Sequence, residues 1–425
     1  MVLGFSSLRR RCGRRRWCSI CSFLTAVLII VLSIAILGFI FRKKIFDFVA
    51  CADEDSHQLI REYCRVYEDG LITGSLCEPL CQTAQVRFKS CTNFHAGKQV
   101  IMMLCDDFCL HDRVIESVLK TSTKNISSIY SRPDIFTSIE DQYFLKLTRD
   151  MILETTKQVG FVPFVWEGAI EFMWEQNYYH YLKSLSSMNA MFRTITLLME
   201  EDEYKIIKVL ESSGLVPKMY GTCGPLYLQE SCPPGILETE FSFLTEGRSS
   251  YPSWPDRSAA AVRLLQLVPI LEKTFTEPLQ LCDVKGGNFG ICADNTVRVI
   301  DVDSVFFDTP LMKTFNYSKC RTHEECNFFD CKGVCNAEHQ QCYTMKANNN
   351  LQLICQKILK GNLPRLLDFS GLLSGAPASV AKKLRIALED CTAPTGEDMQ
   401  VAIYKPKMAV LSRILELLLQ SQHEL

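Results

Sequence analysis

The pattern of hydrophobic and polar residues differs from one part of the chain to the next. Near the N-terminus it is an uninterrupted run of uncharged, mostly apolar residues. Residues 20–40 form a stretch of 21 residues without a charge. At about 1.5 Å per residue, a helix of this length spans the hydrocarbon core of a bilayer, which is about 30 Å thick. A secretory signal would have a shorter apolar core and a small-residue cleavage site. We therefore expect residues 20–41 to form a transmembrane signal anchor.

Beyond the anchor, apolar residues recur with the two-residue period of strands and the three- and four-residue spacing of amphipathic helices. A polar turn at residues 93–97 separates the first two strands, and Gly214 ends the first long helix. The predicted strands are residues 85–89, 99–104, 113–120, 215–220 and 226–230. The predicted long helices are residues 191–212, 258–275, with a kink at Pro269, and 407–420. This mixture predicts an α+β fold.

The charges that flank the anchor predict its orientation. Six arginines lie between residues 9 and 16, and three basic residues follow at 42–44. Because the more positive flank stays cytosolic, we expect residues 1–19 to form an Arg-rich cytosolic tail, with the bulk of the chain in the lumen. This is the topology of a single-pass type II membrane protein. Cys12, Cys18 and Cys21 at the cytosolic boundary are either palmitoylation sites or unmodified thiols.

Cysteine usage predicts the compartment. The chain has 21 cysteines among 425 residues, which is unusual for a reduced cytosolic enzyme. Three of them precede residue 22, so 18, an even number, lie on the lumenal side. Asn125 and Asn316 begin N-glycosylation sequons in the same portion. Together these features favour an oxidising secretory compartment, either the endoplasmic reticulum or the Golgi, and a network of disulfide bonds.

The lumenal cysteines concentrate in two places, with seven between residues 51 and 109 and five between residues 320 and 342. The spacing in the second cluster fits no paired CxxC zinc ribbon, and an oxidising lumen favours disulfides. The candidate disulfide cysteines are Cys51, Cys64, Cys77, Cys81, Cys91, Cys105, Cys109, Cys320, Cys326, Cys331, Cys335 and Cys342. The sequence leaves their pairing open.

Four polar residues near the middle of the chain have the spacing of a phosphate-transfer site. A loop presents Asp283, Lys285 and Asn288, and a predicted hairpin over residues 288–300 ends at Asp301. An Asp-Asn pair at the hairpin turn tolerates the positive φ of a tight turn. A hairpin of this length brings Asp301 back beside Asn288.

These residue types suit phosphoryl transfer. Asn288 and Asp301 offer oxygen ligands for Mg²⁺ or Mn²⁺. Asp283 would accept or orient the attacking hydroxyl, and Lys285 would neutralise charge on the moving phosphoryl group. Each residue taken singly fits a solvated loop, but the joint pattern favours a phosphate-transfer site.

At these residues the sequence resembles the protein kinase superfamily, whose catalytic loop reads D-L-K-P-E-N and whose magnesium-binding D-F-G follows at the same separation. In whole-chain layout it resembles the divergent protein kinase domain family 1, cysteine-rich kinase-like type II proteins of the endoplasmic reticulum. The resemblance implies a disulfide-rich, bilobal kinase-like fold. It also implies that Lys120 grips the ATP phosphates and that Glu203 is its ion-pair partner, with Glu200 and Glu201 as alternatives.

The same resemblance implies a division of the lumenal chain. Residues 42–85 would form a cysteine-rich segment, and residues 86–230 an N-lobe with an insert at 121–190. Residues 231–425 would form a C-lobe that carries the cysteine-rich cluster at 320–342.

The sequence also departs from the kinase pattern. Leu281-Cys282 replaces the usual His-Arg, and Asp301-Val302-Asp303 stands at the D-F-G position. At the turn where a kinase has a phosphate-covering loop with three glycines, this chain has one, Gly97. The A-P-E motif that follows the D-F-G position in kinases is absent from the sequence. Residues 121–190 contain no EF-hand loop, so calcium binding is not carried over.

Three functions compete on these observations. The first is a lumenal kinase-like enzyme that binds ATP and Mg²⁺ and phosphorylates a secretory-pathway protein or glycan. The second is a pseudokinase that acts as a binding or scaffold module, and the third is a glycosyltransferase with a D-x-D metal motif. A net charge of −2 argues against a nucleic-acid partner. The sequence leaves turnover and the substrate open.

Overall fold

The structure is a computed structural model. It describes residues 53–95, 98–122, 126–138, 141–160, 168–238, 252–316, 319–336, 338–361, 371–393 and 408–423. The predicted tail and anchor, Cys51 and the sequon residue Asn125 lie outside these ranges. Within the ranges, no helix has the length and apolar character needed to cross a bilayer.

The first half of the chain combines helices with one antiparallel sheet. Its helices are α1 (Asp53–Glu68), α2 (Cys77–Cys81), α3 (Ser127–Tyr130), α4 (Asp141–Gln158), α5 (Ala169–Met173), α6 (Leu185–Met199) and α7 (Asp202–Leu210). Its strands are β1 (Val86–His95), β2 (Lys98–Cys105), β3 (Ile115–Ser122), β4 (Met219–Cys223) and β5 (Leu226–Glu230). Strand β4 begins later than predicted, since Pro217 has no backbone donor and the Leu215 carbonyl accepts from Val299 N instead.

The sheet order is β1-β2-β3-β5-β4, and its register determines which residues share a face. Val100 lies opposite Lys120, which in turn lies opposite Tyr227. Because side chains alternate along a strand, Lys98, Val100, Lys120 and Tyr227 share one face. The other face buries Ile101, Met103 and Leu119 in a core with residues of α1 and α2. The sheet therefore has a core face and a face with two lysines.

The prediction of one long helix over residues 191–212 is wrong, because the structure has two helices there. Helix α6 ends at Met199, Glu201 is extended, and α7 starts at Asp202. Apolar positions keep their helical spacing through the break, so periodicity alone does not reveal it. The acidic residues around the break suit a helix N-terminus, whose partial positive charge stabilises carboxylates. As a result, Glu203 lies in the first turn of α7.

The second half is mainly helical, with short strand pairs. Its helices are α8 (Trp254–Lys273), α9 (Asp308–Asn316), α10 (Asn350–Ile354), α11 (Ala378–Thr392) and α12 (Met408–His423). Its strands are β6 (Leu279–Leu281), β7 (Phe289–Ile291), β8 (Val297–Val299), β9 (Val305–Phe307), β10 (Gly333–Asn336) and β11 (Gln341–Lys346). Helix α8 begins before the predicted residue 258, since Ser253 caps it by accepting from Asp256 N.

Disulfide bonds connect these elements. Those with both cysteines in the described ranges are Cys64–Cys81, Cys77–Cys223, Cys105–Cys109, Cys232–Cys292, Cys282–Cys331, Cys320–Cys335, Cys326–Cys342 and Cys355–Cys391. Cys91 is disulfide-bonded as well. The predicted network is therefore present in the part of the chain that the structure describes. Cys331 leaves its own cluster and pairs with Cys282, next to the loop that carries Asp283.

Candidate functional site

The β7–β8 hairpin brings Asp301 to the loop that carries Asn288. Phe289 lies opposite Val299, and Ile300 N donates to the Asn288 carbonyl at 2.9 Å. Asn295 takes a φ of 68° at the turn, which an asparagine tolerates better than a branched side chain. Asp301 follows Ile300 directly, so the hairpin predicted from the sequence positions it beside Asn288.

Asp283 accepts hydrogen bonds from two side chains of its own loop. Lys285 Nζ lies 2.8 Å from Asp283 Oδ2, and Asn288 Nδ2 lies 3.0 Å from the same oxygen. Partial burial works to raise the pKa of Asp283, but the hydrogen bonds from Lys285 and Asn288 outweigh it and lower the pKa. Asp283 is therefore a carboxylate at neutral pH.

Asp330 of the cysteine-rich cluster supports this loop and is not among the predicted site residues. Val284 N donates to Asp330 Oδ2 at 2.8 Å, and Asp330 N donates to the Cys282 carbonyl at 2.8 Å. Lys357 Nζ pairs with Asp330 Oδ1 at 2.7 Å. Asp330 is 46 residues from Val284 in the sequence, so no local pattern connects them. The cluster at 320–342 thus holds the Asp283 loop by hydrogen bonds and by the Cys282–Cys331 disulfide.

Lys120 on β3 and Glu203 on α7 form a buried ion pair. Lys120 Nζ lies 2.8 Å from Glu203 Oε1, with side-chain exposures of 8% and 7%. Lys120 also donates to the Ile300 carbonyl at 2.7 Å, next to Asp301. Of the alternatives, Glu200 pairs with Arg132 at 2.9 Å. Lys120 therefore pairs with Glu203, in the first turn of α7.

The second oxygen of Glu203 is also occupied. Tyr227 OH donates to Glu203 Oε2 at 2.8 Å, and Lys98 Nζ lies 2.6 Å from the same atom. Burial works to raise the pKa of Glu203, but the ammonium groups of Lys120 and Lys98 lower it to about 2. Burial and the neighbouring carboxylate hold the pKa of Tyr227 well above its ordinary value, so the hydroxyl remains a donor.

Lys98, also not among the predicted site residues, lies among three carboxylates. Besides Glu203, its Nζ lies 3.2 Å from Asp303 Oδ2 and 3.5 Å from Asp301 Oδ1. One ligand oxygen from each of the three acids lies within 4.8 Å of the others. The signal in the sequence that could have identified Lys98 was its position beside the turn where a kinase would have a glycine-rich loop.

Asp283, Asn288, Asp301 and Asp303 line one cavity of about 220 Å³. Carboxylate and amide oxygens are the ligands that Mg²⁺ takes in proteins, so this set fits the ion. Because Asn288 Nδ2 donates to Asp283, a metal would take the amide oxygen. Burial, followed by the nearby Glu203 carboxylate, raises the pKa of Asp303. Phe329, 69% exposed and with a φ of 49°, lies at the edge of the same cavity.

The glycosylation candidates cannot be placed at this site. Asn125 lies outside the described residues. Asn316 is the last residue of α9, and its side chain and the rest of its sequon also lie outside them.

Comparison with known families gives two matches. Residues 195–394 match the model described as the protein-kinase domain of FAM69, and residues 14–131 match that of its N-terminal cysteine-rich segment, a segment of the endoplasmic reticulum. The chain belongs to the FAM69 family. This is the divergent kinase-like family that the sequence motifs and cysteine layout resemble.

The site draws on both FAM69 segments. Lys98 and Lys120 fall in the range that matches the cysteine-rich N-terminal model, whereas Glu203, Asp283 and Asp301 fall in the range that matches the kinase domain. In this FAM69 protein the cysteine-rich segment therefore supplies Lys98 and Lys120, and the kinase domain supplies the acids and Lys285.

Proposed function

We propose that this kinase-like protein binds ATP with Mg²⁺ and transfers the terminal phosphoryl group to a hydroxyl of a secretory-pathway protein or glycan. It would do so in the lumen of the endoplasmic reticulum, anchored by residues 20–41. The observation that carries the proposal is the buried Lys120–Glu203 ion pair beside Asp301. Lys120 comes from β3, Glu203 from α7 and Asp301 from the end of the β7–β8 hairpin. A hairpin with a purely structural role would not need a buried lysine from β3 beside Asp301.

Each residue has a role in this proposal. Lys120, oriented by Glu203, would bind nucleotide phosphates, and Asn288 and Asp301 would bind the metal. A bound Mg²⁺ offsets charge on the phosphates. Asp283, held ionised by Lys285 and Asn288, would orient the acceptor hydroxyl and take its proton. Lys285 would then stabilise the negative charge that develops on the transferred group.

Nucleotide binding is tested by thermal unfolding of the full chain with ATP and Mg²⁺. Ligand at about 100 times its Kd stabilises a protein by about 3 kcal/mol, so we expect a clear rise in Tm. Asp301→Asn should abolish the rise. Asp294→Asn, the same substitution at the far end of the hairpin, should keep it. A rise with UDP-sugars and Mn²⁺ alone would instead favour the glycosyltransferase, and no response to either would contradict the proposal.

Transfer needs a separate measurement, because a pseudokinase also binds nucleotide. We expect autophosphorylation, or phosphorylation of secreted proteins from labelled ATP, to fall by about a hundredfold or more in Asp283→Asn, since a positioned base contributes about 10²–10⁴ in rate. The same variant should keep the Tm response to ATP and Mg²⁺. Binding without transfer in the native protein would identify a pseudokinase.

A further inference from the structure

The β1–β2 turn carries a lysine into the site, and the sheet register explains why. Lys98 is two residues before Val100, which lies opposite Lys120. Because side chains alternate along a strand, Lys98 and Lys120 project from the same face. Register shifts between Phe88 and Ser90 and between Cys91 and Asn93 interrupt the β1–β2 pairing. Such bulges bend and twist a hairpin. In this hairpin, Lys98 reaches Asp301 and Asp303 of the second half of the chain.

Lys98 lies among carboxylates that include Asp301, the proposed metal ligand. Its Nζ contacts Glu203, Asp301 and Asp303, which come from α7 and from the segment after β8. A divalent cation on Asp301 would compete with the ammonium for this carboxylate. Phosphates that arrive with the metal would offer the ammonium a new anionic partner, with Lys120 nearby as the second lysine.

The sequence around the turn supports this role. Gly97 is the one glycine where a phosphate-covering loop carries three, so the turn lacks the usual run of glycine amides that approach phosphates closely. A lysine ammonium acts as a point charge toward phosphate and needs no such close backbone approach.

We infer that Lys98 is a phosphate-binding residue of the nucleotide site, which substitutes for the missing glycine loop and moves from Asp301 to the phosphates when nucleotide binds. This inference rests on the proposed function, because it requires that the site takes a nucleoside triphosphate. It assigns a second cation to the site besides Lys120.

The test compares ATP with a ligand that lacks phosphates. Titrations of the full chain with ATP–Mg²⁺ and with adenosine should show that Lys98→Met weakens ATP binding by tenfold or more and leaves adenosine binding within twofold. Lys98→Arg keeps the charge and should retain ATP affinity within about threefold. Lys89→Met on β1, which removes a surface pair with Glu116, is the matched control and should change neither ligand.

Each result decides between the possibilities. If Lys98→Met binds ATP–Mg²⁺ as well as or more tightly than the native chain, Lys98 only neutralises the acids and the inference is wrong. An equal loss of ATP and adenosine affinity in Lys98→Met would indicate a structural role. Failure of the native chain to bind ATP–Mg²⁺ would refute the proposed function itself.

Discussion

Glu203 is a buried carboxylate with three side-chain partners. Its two carboxylate oxygens contact Lys120, Lys98 and Tyr227, and almost none of its side chain reaches solvent. A buried carboxylate is stable only when such partners replace its hydration. The same contacts that orient Lys120 therefore also determine how this residue contributes to stability.

Replacement of Glu203 by glutamine tests this contribution. The pKa of Glu203 lies near 2, against an ordinary value of 4.5, so the carboxylate form stabilises the fold. The contribution is complete above the unfolded pKa and is lost as pH falls through the folded one. At neutral pH, Glu203→Gln should lower the free energy of unfolding by about 3 kcal/mol, as measured by urea denaturation.

The difference should shrink as pH falls from about 4.5 toward about 2, because the native side chain then becomes protonated and loses the same interactions. Glu200→Gln, which affects the more exposed pair with Arg132, serves as the control and should change the free energy of unfolding by less than about 1 kcal/mol. A cost for Glu203→Gln that does not change with pH would contradict the electrostatic explanation.

At the scale of elements, the loop between β6 and β7 depends on close backbone contact. A Cβ on Gly286 would lie 1.9 Å from the Leu237 carbonyl oxygen, whereas one on Gly287 would meet the flexible end of Glu238 at 3.2 Å. The first contact is with backbone and cannot be relieved without moving the loop. Gly286 thus lets the loop pack against the segment that follows β5.

The two glycines form a matched pair for substitution. Gly286→Ala should destabilise the protein by about 1–3 kcal/mol, since overpacking in a tight contact costs this much, and should lower nucleotide binding by displacing Asn288. Gly287→Ala should change stability by less than about 1 kcal/mol. Chemical denaturation and the thermal response to ATP–Mg²⁺ measure the two effects, and equal costs for both variants would show that the close contact is unimportant.

At the scale of the whole molecule, disulfides join segments that are distant in the chain. Cys77 of α2 and Cys223 of β4 are 146 residues apart, whereas Cys105 and Cys109 enclose a short loop. The Cys282–Cys331 bond attaches the cysteine-rich cluster to the Asp283 loop. Bonds of long span restrict the unfolded chain most.

Removal of single bonds by paired serine substitutions should reflect this difference in span. On the loop-entropy relation, loss of Cys77–Cys223 should cost about 5 kcal/mol and loss of Cys105–Cys109 about 2 kcal/mol. Urea denaturation of the two double variants measures both values. Equal losses would mean that local packing, rather than restriction of the unfolded chain, dominates the contribution of these bonds.

The sequence alone determined what depends on local pattern and composition. Strand periodicity predicted the five strands of the sheet, although β4 begins at Met219 rather than at residue 215. The spacing from Asp283 to Asp301 predicted the hairpin that brings Asp301 to Asn288, because a tight hairpin is a local structure. The motifs and the cysteine layout were enough to identify the family.

Which residues that are distant in the sequence come into contact is visible in the tertiary structure alone. It brought Lys98 to Asp301 across 203 residues, selected Glu203 through the break before α7, and placed Asp330 under the Asp283 loop. The pairing of Cys331 with Cys282 likewise has no signal in either local segment. These contacts depend on sheet register and on the packing of elements that are distant in the sequence. Buried charges are stable only with such partners, and local periodicity does not predict which partners they are.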